Sequence, residues 1–228
     1  MRQKTLYLGI ILLIVVVIVV IVTGFGSEEK TDTDTIVSGA AALTEARIEG
    51  LVTSMQVMTL TDEVQSGDWS TMRPLLAEFE DSSIPLVAWF ALPDASYYTV
   101  DAGLASGNLS DREYFPVVMD GDIAVGYTVV SKSTGKESTV VAVPVKEGTD
   151  VIGALGASVY LEELSQSIVN DLRLSDDMVF YAVDGSGLIA LHSDADMIME
   201  DASEQADLSD VNSEVSTALG WTFYLGYK

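Results

Sequence analysis

The sequence predicts an α+β fold held behind an apolar N-terminal anchor. Three observations predict it. Val37, Ala41, Thr44, Ile48, Leu51, Met55 and Met58 recur at alternating four- and three-residue intervals, the stripe of a long amphipathic helix. Three β-prone runs, about 124–131, 138–145 and 151–160, are divided by the turns Ser133-Thr134-Gly135-Lys136 and Lys146-Glu147-Gly148-Thr149. Leu6 to Val22 is uncharged and rich in Ile and Val.

That uncharged run, extended by Thr23 to Phe25, makes roughly 20 residues, or about 30 Å of helix, the thickness of a hydrocarbon core. It is longer than a signal-peptide apolar region, and Gly24-Phe25-Gly26 is a weak cleavage match, so residues 1–27 read as an uncleaved single-pass transmembrane helix. Arg2 and Lys4 precede it and an acidic chain follows, which places the N-terminus in the cytoplasm and the bulk outside the cell membrane.

Residues 28–65 read as a linker and stalk helix. Its stripe serves either packing on its own domain or pairing in a homodimer, and Thr44 and Gly50 weaken a strong zipper. Residues 66–175 form the main domain. Ser66-Gly67-Asp68 breaks the stalk; Ser70 is expected to cap a second helix with Met72, Leu75, Leu76 and Phe79 inward and Pro74 in its first turn. Leu86–Leu92 and Tyr97–Val100 read as a hairpin about the turn Pro93-Asp94-Ala95-Ser96, and Gly103–Gly107 as loop. Ser110-Asp111-Arg112-Glu113 fits a capping box, predicting a helix from Asp111. Glu162–Leu172 reads as a short helix. Residues 176–228 read as a C-terminal hairpin or truncated membrane-proximal module: Met178–Val183 and Leu188–His192 about Asp184-Gly185-Ser186-Gly187, an acidic stretch of broken helix and loop, and a closing strand Trp221–Tyr227.

Composition excludes several functions. The chain lacks Cys, so disulfides, thiolate metal sites and a Cys nucleophile are ruled out. Net charge is −24; two of the 11 basic residues, Arg2 and Lys4, precede the anchor, leaving 9 basic against 35 acidic groups beyond it, or −26. Such a surface repels nucleic acid. It reads as a solvated acidic surface, with cation binding as the alternative. His192 is the one histidine, and no G-x-S-x-G elbow accompanies it, so no enzyme is expected. Asp194, Asp196, Glu200 and Asp201 read as a solvated loop rather than a metal site, and no cofactor is implied.

LSDREYF from Leu109, SKSTGK from Ser131, the β-run ending AVPV at Val145, and VIGALGASVYLEEL from Val151 together resemble a Cache domain. Cache domains are the extracytoplasmic PAS-like sensors of chemoreceptors, histidine kinases and cyclases. YAVDGSGLIALHSD from Tyr181 resembles the hairpin that follows in double-Cache members. The resemblance implies a long N-terminal helix packed on an antiparallel PAS-like sheet of about five strands, with a small-ligand pocket on one sheet face. It implies ligand binding in signal transduction. Members usually continue into a second span and a signalling module; neither follows before Lys228, so either output is expected through a separate signalling protein or the chain is a fragment of a longer receptor.

The resemblance also suggests where a ligand would sit. Amino-acid-binding relatives carry an Arg followed two places on by an aromatic, a pair matched by Arg112 and Tyr114. An Arg at a pocket mouth grips a carboxylate through two parallel hydrogen bonds; the alternative is that Arg112 pairs with Asp111 or Glu113 in solvent. Those relatives have a Tyr where this chain has Val129, and an Asp near Ser158. Without that acid the expected ligand is a carboxylate or other small polar metabolite rather than a plain α-amino acid. Strand alternation adds Tyr127 and Ser131 to Val129, and Gly156 and Tyr160 to Ser158. Trp89 and Tyr98 would wall the pocket or serve as ordinary core. The alternative function is a tethered solute-binding or structural surface protein without a signalling role.

Overall fold

A computed structural model describes residues 33–205, 211–217 and 219–227. Helix α1 spans 33–58, and every position of the predicted stripe is buried: Val37, Ala41, Thr44, Ile48, Leu51, Met55 and Met58. The protein's own core therefore takes up the stripe. Thr44 is accommodated because its hydroxyl donates to Ala40 O at 2.8 Å, which satisfies the polar group within the helix. The predicted anchor, 1–27, lies outside the described residues. Among the described residues no helix is long and apolar enough to cross a membrane.

Two short elements follow. Helix α2, Asp62–Gln65, is capped by Thr61. Helix α3, Trp69–Ser82, begins earlier than expected, because Asp68 rather than Ser70 is its cap and accepts from Ser70 N. Pro74 therefore falls in the second turn rather than the first.

The main sheet has six strands rather than about five. They are β1 Leu86–Ala91, β2 Ser96–Thr99, β3 Gly103–Asn108, β4 Ala124–Val130, β5 Glu137–Glu147 and β6 Asp150–Tyr160. Their order is β3-β2-β1-β6-β5-β4, every pair antiparallel. The extra strand is β3, expected as loop. Its Gly-Leu-Ala-Ser-Gly-Asn sequence has no inward apolar set, and it needs none, because it is a mostly exposed edge strand held by main-chain pairing to β2.

The sheet separates two apolar layers. Alternation on β1 sends Ala88 and Phe90 into a large core with α1, α3 and α5 (Leu161–Leu172), and Trp89 and Ala91 into a smaller one under α4 (Tyr114–Met119). On β5, Val141, Val143 and Val145 join the large core, and Val140 and Ala142 the small one. These strands are covered on both faces, which is why they read as near-continuous apolar runs.

The C-terminal part is a second sheet of four strands, more than a hairpin: β7 Met178–Val183, β8 Ile189–His192, β9 Val211–Ser216 and β10 Thr222–Tyr227, in the order β8-β7-β10-β9. The closing strand is thus internal, paired with β7 and β9. Phe180 and Phe223 pack at 6.1 Å in the large core. The acidic stretch is explained locally, since Asp194 and Asp201 each cap a 3₁₀ turn, at Ala195–Met197 and Ala202–Glu204. Among the described residues no acidic or histidine cluster is placed to hold a metal ion.

Candidate functional site

The small core opens into a cleft of ≈ 250 Å³, part of it open to solvent. The space left inside it for a water-sized sphere is only ≈ 10 Å³, about enough for one water and well short of the roughly 300–1,000 Å³ of small-molecule sites. Its floor is the Trp89 indole, which lies flat across β6. Trp89 pairs in register with Gly156, and a Cβ at 156 would stand 2.0 Å from the Trp89 ring. Glycine at this place lets an aromatic ring occupy the strand surface itself. The indole N–H donates to Ser158 Oγ at 3.3 Å, two residues along the same face.

The back wall is aromatic. Tyr114 packs on Trp89 at 5.9 Å and edge-on to Tyr127 at 6.0 Å. Burial pushes the Tyr114 phenol well above its ordinary pKa, with the Arg112 charge opposing. Among the described residues its hydroxyl takes no hydrogen bond, so an uncharged donor remains available at the cleft.

The mouth is basic and hydroxyl-rich. Arg112, Ser131, Lys132, Ser133 and Tyr97 line it, with Leu109 and Val129 between. Ser131 and Ser133 share a hydrogen bond at 3.2 Å. Burial raises the Tyr97 pKa, partly offset by a hydrogen bond with Ser133. Lys132 donates to Asn108 O at 2.6 Å and pairs with Asp111, whose pKa the lysine holds below the carboxylate norm. Arg112 donates through one terminal nitrogen to Val130 O at 2.7 Å. Among the described residues no carboxylate lies within ion-pair distance of Arg112, so the predicted alternative, pairing with Asp111 or Glu113, is not the one adopted: Lys132 has taken Asp111.

The local chain explains this arrangement. The capping box does not form, because α4 starts at Tyr114 and Glu113 makes no side-chain cap bond. Instead Asn108 Oδ1 accepts from Ser110 N at 2.8 Å, and Arg112 N donates to Leu109 O at 3.0 Å. This Asx turn competes with early helix. Arg112 therefore sits on a turn before the helix rather than on its first turn.

Of the residues singled out from sequence, Arg112, Tyr114, Val129, Ser131, Ser158 and Trp89 line the cleft together. Tyr127 lies one layer back, behind Tyr114. Tyr98 does not join them. It pairs with Phe90 and stacks on Trp69 at 5.3 Å, on the opposite face. Tyr97, paired with Ala91 on the Trp89 face, takes the place expected of Tyr98. Leu109, Lys132 and Ser133 were also missed. Lys132 and Ser133 follow Ser131 directly in the turn, the one sequence signal that pointed to them.

No protein-family model and no curated protein sequence matches the chain. Solved structures do. The ligand-binding domain of the Pseudomonas fluorescens chemoreceptor CtaA, in complex with L-valine, superposes with a TM-score of 0.68 at 13% identity, covering 89% of this chain and 98% of that one. The ligand-binding domain of the Pseudomonas aeruginosa amino acid chemoreceptor PctC, in complex with GABA, gives 0.64 at 18% identity, covering 88% and 97%. The extracellular domain of rpHK1S-Z16, assigned as a histidine kinase, gives 0.69 at 11% identity, covering 89% and 95%. The chain shares the fold of these ligand-binding and extracellular domains, in keeping with the resemblance to Cache domains.

Proposed function

We propose that the chain is an extracytoplasmic sensor, anchored in the cell membrane through residues 1–27, whose cleft binds a small carboxylate and whose output passes to a separate signalling protein. The observation that carries this reading is an Arg112 guanidinium at the mouth of a cleft with no carboxylate within ion-pair distance among the described residues. A planar fork with free donors matches a carboxylate. Ser131, Tyr114 and Ser158 supply the neutral donors that orient it. The PctC and CtaA structures hold GABA and L-valine; here Ser158 offers no charge to an ammonium group, which favours a carboxylate without one. Residues 66–175 form the ligand-binding unit and 176–228 a membrane-proximal unit. Ligand acts on the stalk through α5, because Arg47 of α1 donates to Ser167 at 2.6 Å and pairs with Asp171. A second copy would pair through the face of α1 that the core leaves exposed.

The test is thermal unfolding of the full chain against acetate, lactate, succinate and citrate, with glycine and valine as zwitterionic controls. A ligand at 100 times its dissociation constant adds roughly 2.7 kcal/mol. For a chain of this size that raises Tm by about 5–10 °C. The shift is expected with a carboxylate, weaker with the zwitterions, and absent in Arg112→Ala. A shift that survives Arg112→Ala would move the site elsewhere. No shift with any carboxylate would return the structural reading.

A further inference from the structure

Strand β4 changes parity partway along. Ala124 and Val125 pair with Ala142 and Val141; the register then skips Gly126, and Tyr127 pairs with Val140. One extra residue sends every later side chain to the other face. Ala124 points into the small core and Val125 packs on the large one. Without the bulge, Tyr127 and Val129 would follow Val125. With it they follow Ala124, toward the cleft.

Gly126 has φ +82°, a conformation open to glycine and strained for other residues. Its carbonyl is held by the second sheet: the Trp221 indole N–H donates to Gly126 O at 3.1 Å. Trp221 is buried at the foot of β10. Thr217 pins its position, donating from both N–H and hydroxyl to Trp221 O at 2.9 and 3.0 Å. Leu219 O closes the space above the bulge, 3.0 Å from where a Gly126 Cβ would stand.

We propose that Trp221 is a positioning residue for the cleft: by holding the bulged Gly126 carbonyl, it fixes which face Tyr127 and Val129 present. The consequence for ligand rests on the carboxylate-binding reading above; the strand register does not. Coupling of this kind is reciprocal, so a ligand that packs on Val129 also tightens the second sheet onto β4.

Trp221→Phe in the full chain keeps a buried ring and removes the donor. Amide hydrogen exchange at Gly126–Val129 should accelerate at least about tenfold relative to Val141 and Val143 of β5, while Phe180 and Leu225 of the second sheet keep their protection. Succinate affinity should fall roughly five- to tenfold, the worth of one such hydrogen bond. Unchanged exchange at Gly126–Val129, or acceleration spread evenly over both sheets, overturns the proposal. If succinate binds neither protein, the carboxylate reading fails and exchange alone decides this one. If Trp221→Phe does not fold, benzothienylalanine at 221, which replaces only the N–H by sulfur, carries the same readout.

Discussion

Gly156→Ala is the sharpest test of how the cleft is built. The added methyl would sit 2.0 Å from the Trp89 ring, where carbon atoms at rest stand about 3.5–4 Å apart. The ring must therefore rise by about 1.5–2 Å. It has little room to do so, since Tyr114 lies against it at 5.9 Å between centroids and Trp89 is 2% exposed. Overpacking of this kind costs about 1–3 kcal/mol, and loss of the bond to Ser158 about 0.5–1.5 more. The sum, about 2–4 kcal/mol, lowers Tm by roughly 5–15 °C in a chain of this length. Urea unfolding followed by circular dichroism measures it. Gly50→Ala is the control: nothing lies within 4 Å of a Cβ there, and the site is on an exposed helix face, so alanine should stabilise by about 0.5–1 kcal/mol. If Gly156→Ala melts within about 0.5 kcal/mol of the parent, the indole does not lie across β6 and the floor of the cleft is wrong.

Two further outcomes follow from individual side chains. Tyr114→Phe removes a hydroxyl with no hydrogen-bond partner among the described residues, so stability should stay within about 0.5 kcal/mol while carboxylate affinity drops several-fold by calorimetry; an unchanged affinity would mean the phenol does not meet the ligand. Glu80 accepts from Ala88 N at 2.7 Å, and burial raises its pKa against that bond, with Asp101 and Asp81 adding to the rise. A raised carboxyl favours the folded state below its unfolded value of about 4.3 and loses that contribution as pH climbs through the folded value. Glu80→Gln should therefore raise Tm at pH 7 and converge with the parent near pH 4, and a variant equally destabilised at both pH values would contradict this.

Much of the fold was legible because covered strands and a covered helix leave periodic signatures. The stripe from Val37 to Met58 and the runs that became β4, β5 and β6 are of this kind. What escaped has no such signature. Strand β3 is an edge segment made by main-chain bonds. Ser110 and Glu113 satisfy the capping-box pattern, but Asn108 binds the Ser110 amide first. Tyr97 and Tyr98 are adjacent and alike, and only the pairing of Trp89 with Thr99 decides which faces the cleft. The grouping of Tyr127, Val129 and Ser131 was readable from alternation alone. Their orientation relative to Ala124 was not, because it depends on a glycine bulge held from a strand some 95 residues later in the chain. The pairing of Lys132 with Asp111, which leaves Arg112 without an acid, is likewise a tertiary outcome.

The charge of the whole chain sets one more condition on the site. The anionic ligand proposed would approach a protein of net charge −24, and among the described residues of the cleft Arg112 draws it at short range, with Lys132 already paired to Asp111. A unit charge about 20 Å away contributes ~0.2 kcal/mol in unscreened water, so the summed repulsion is of order several kcal/mol at very low salt. The screening length falls from about 30 Å at 0.01 M to about 10 Å at 0.1 M. That removes most of the long-range repulsion while leaving contact attraction in the half-buried cleft largely intact. Carboxylate affinity should therefore rise over this interval, on the order of ten- to twentyfold, and rise more for succinate than for acetate because the dianion is repelled twice as strongly. Titration calorimetry at several salt concentrations measures both slopes. Affinity that falls steadily with salt from the lowest concentration would show that local cations dominate the encounter, and the balance drawn here between surface and cleft would be wrong.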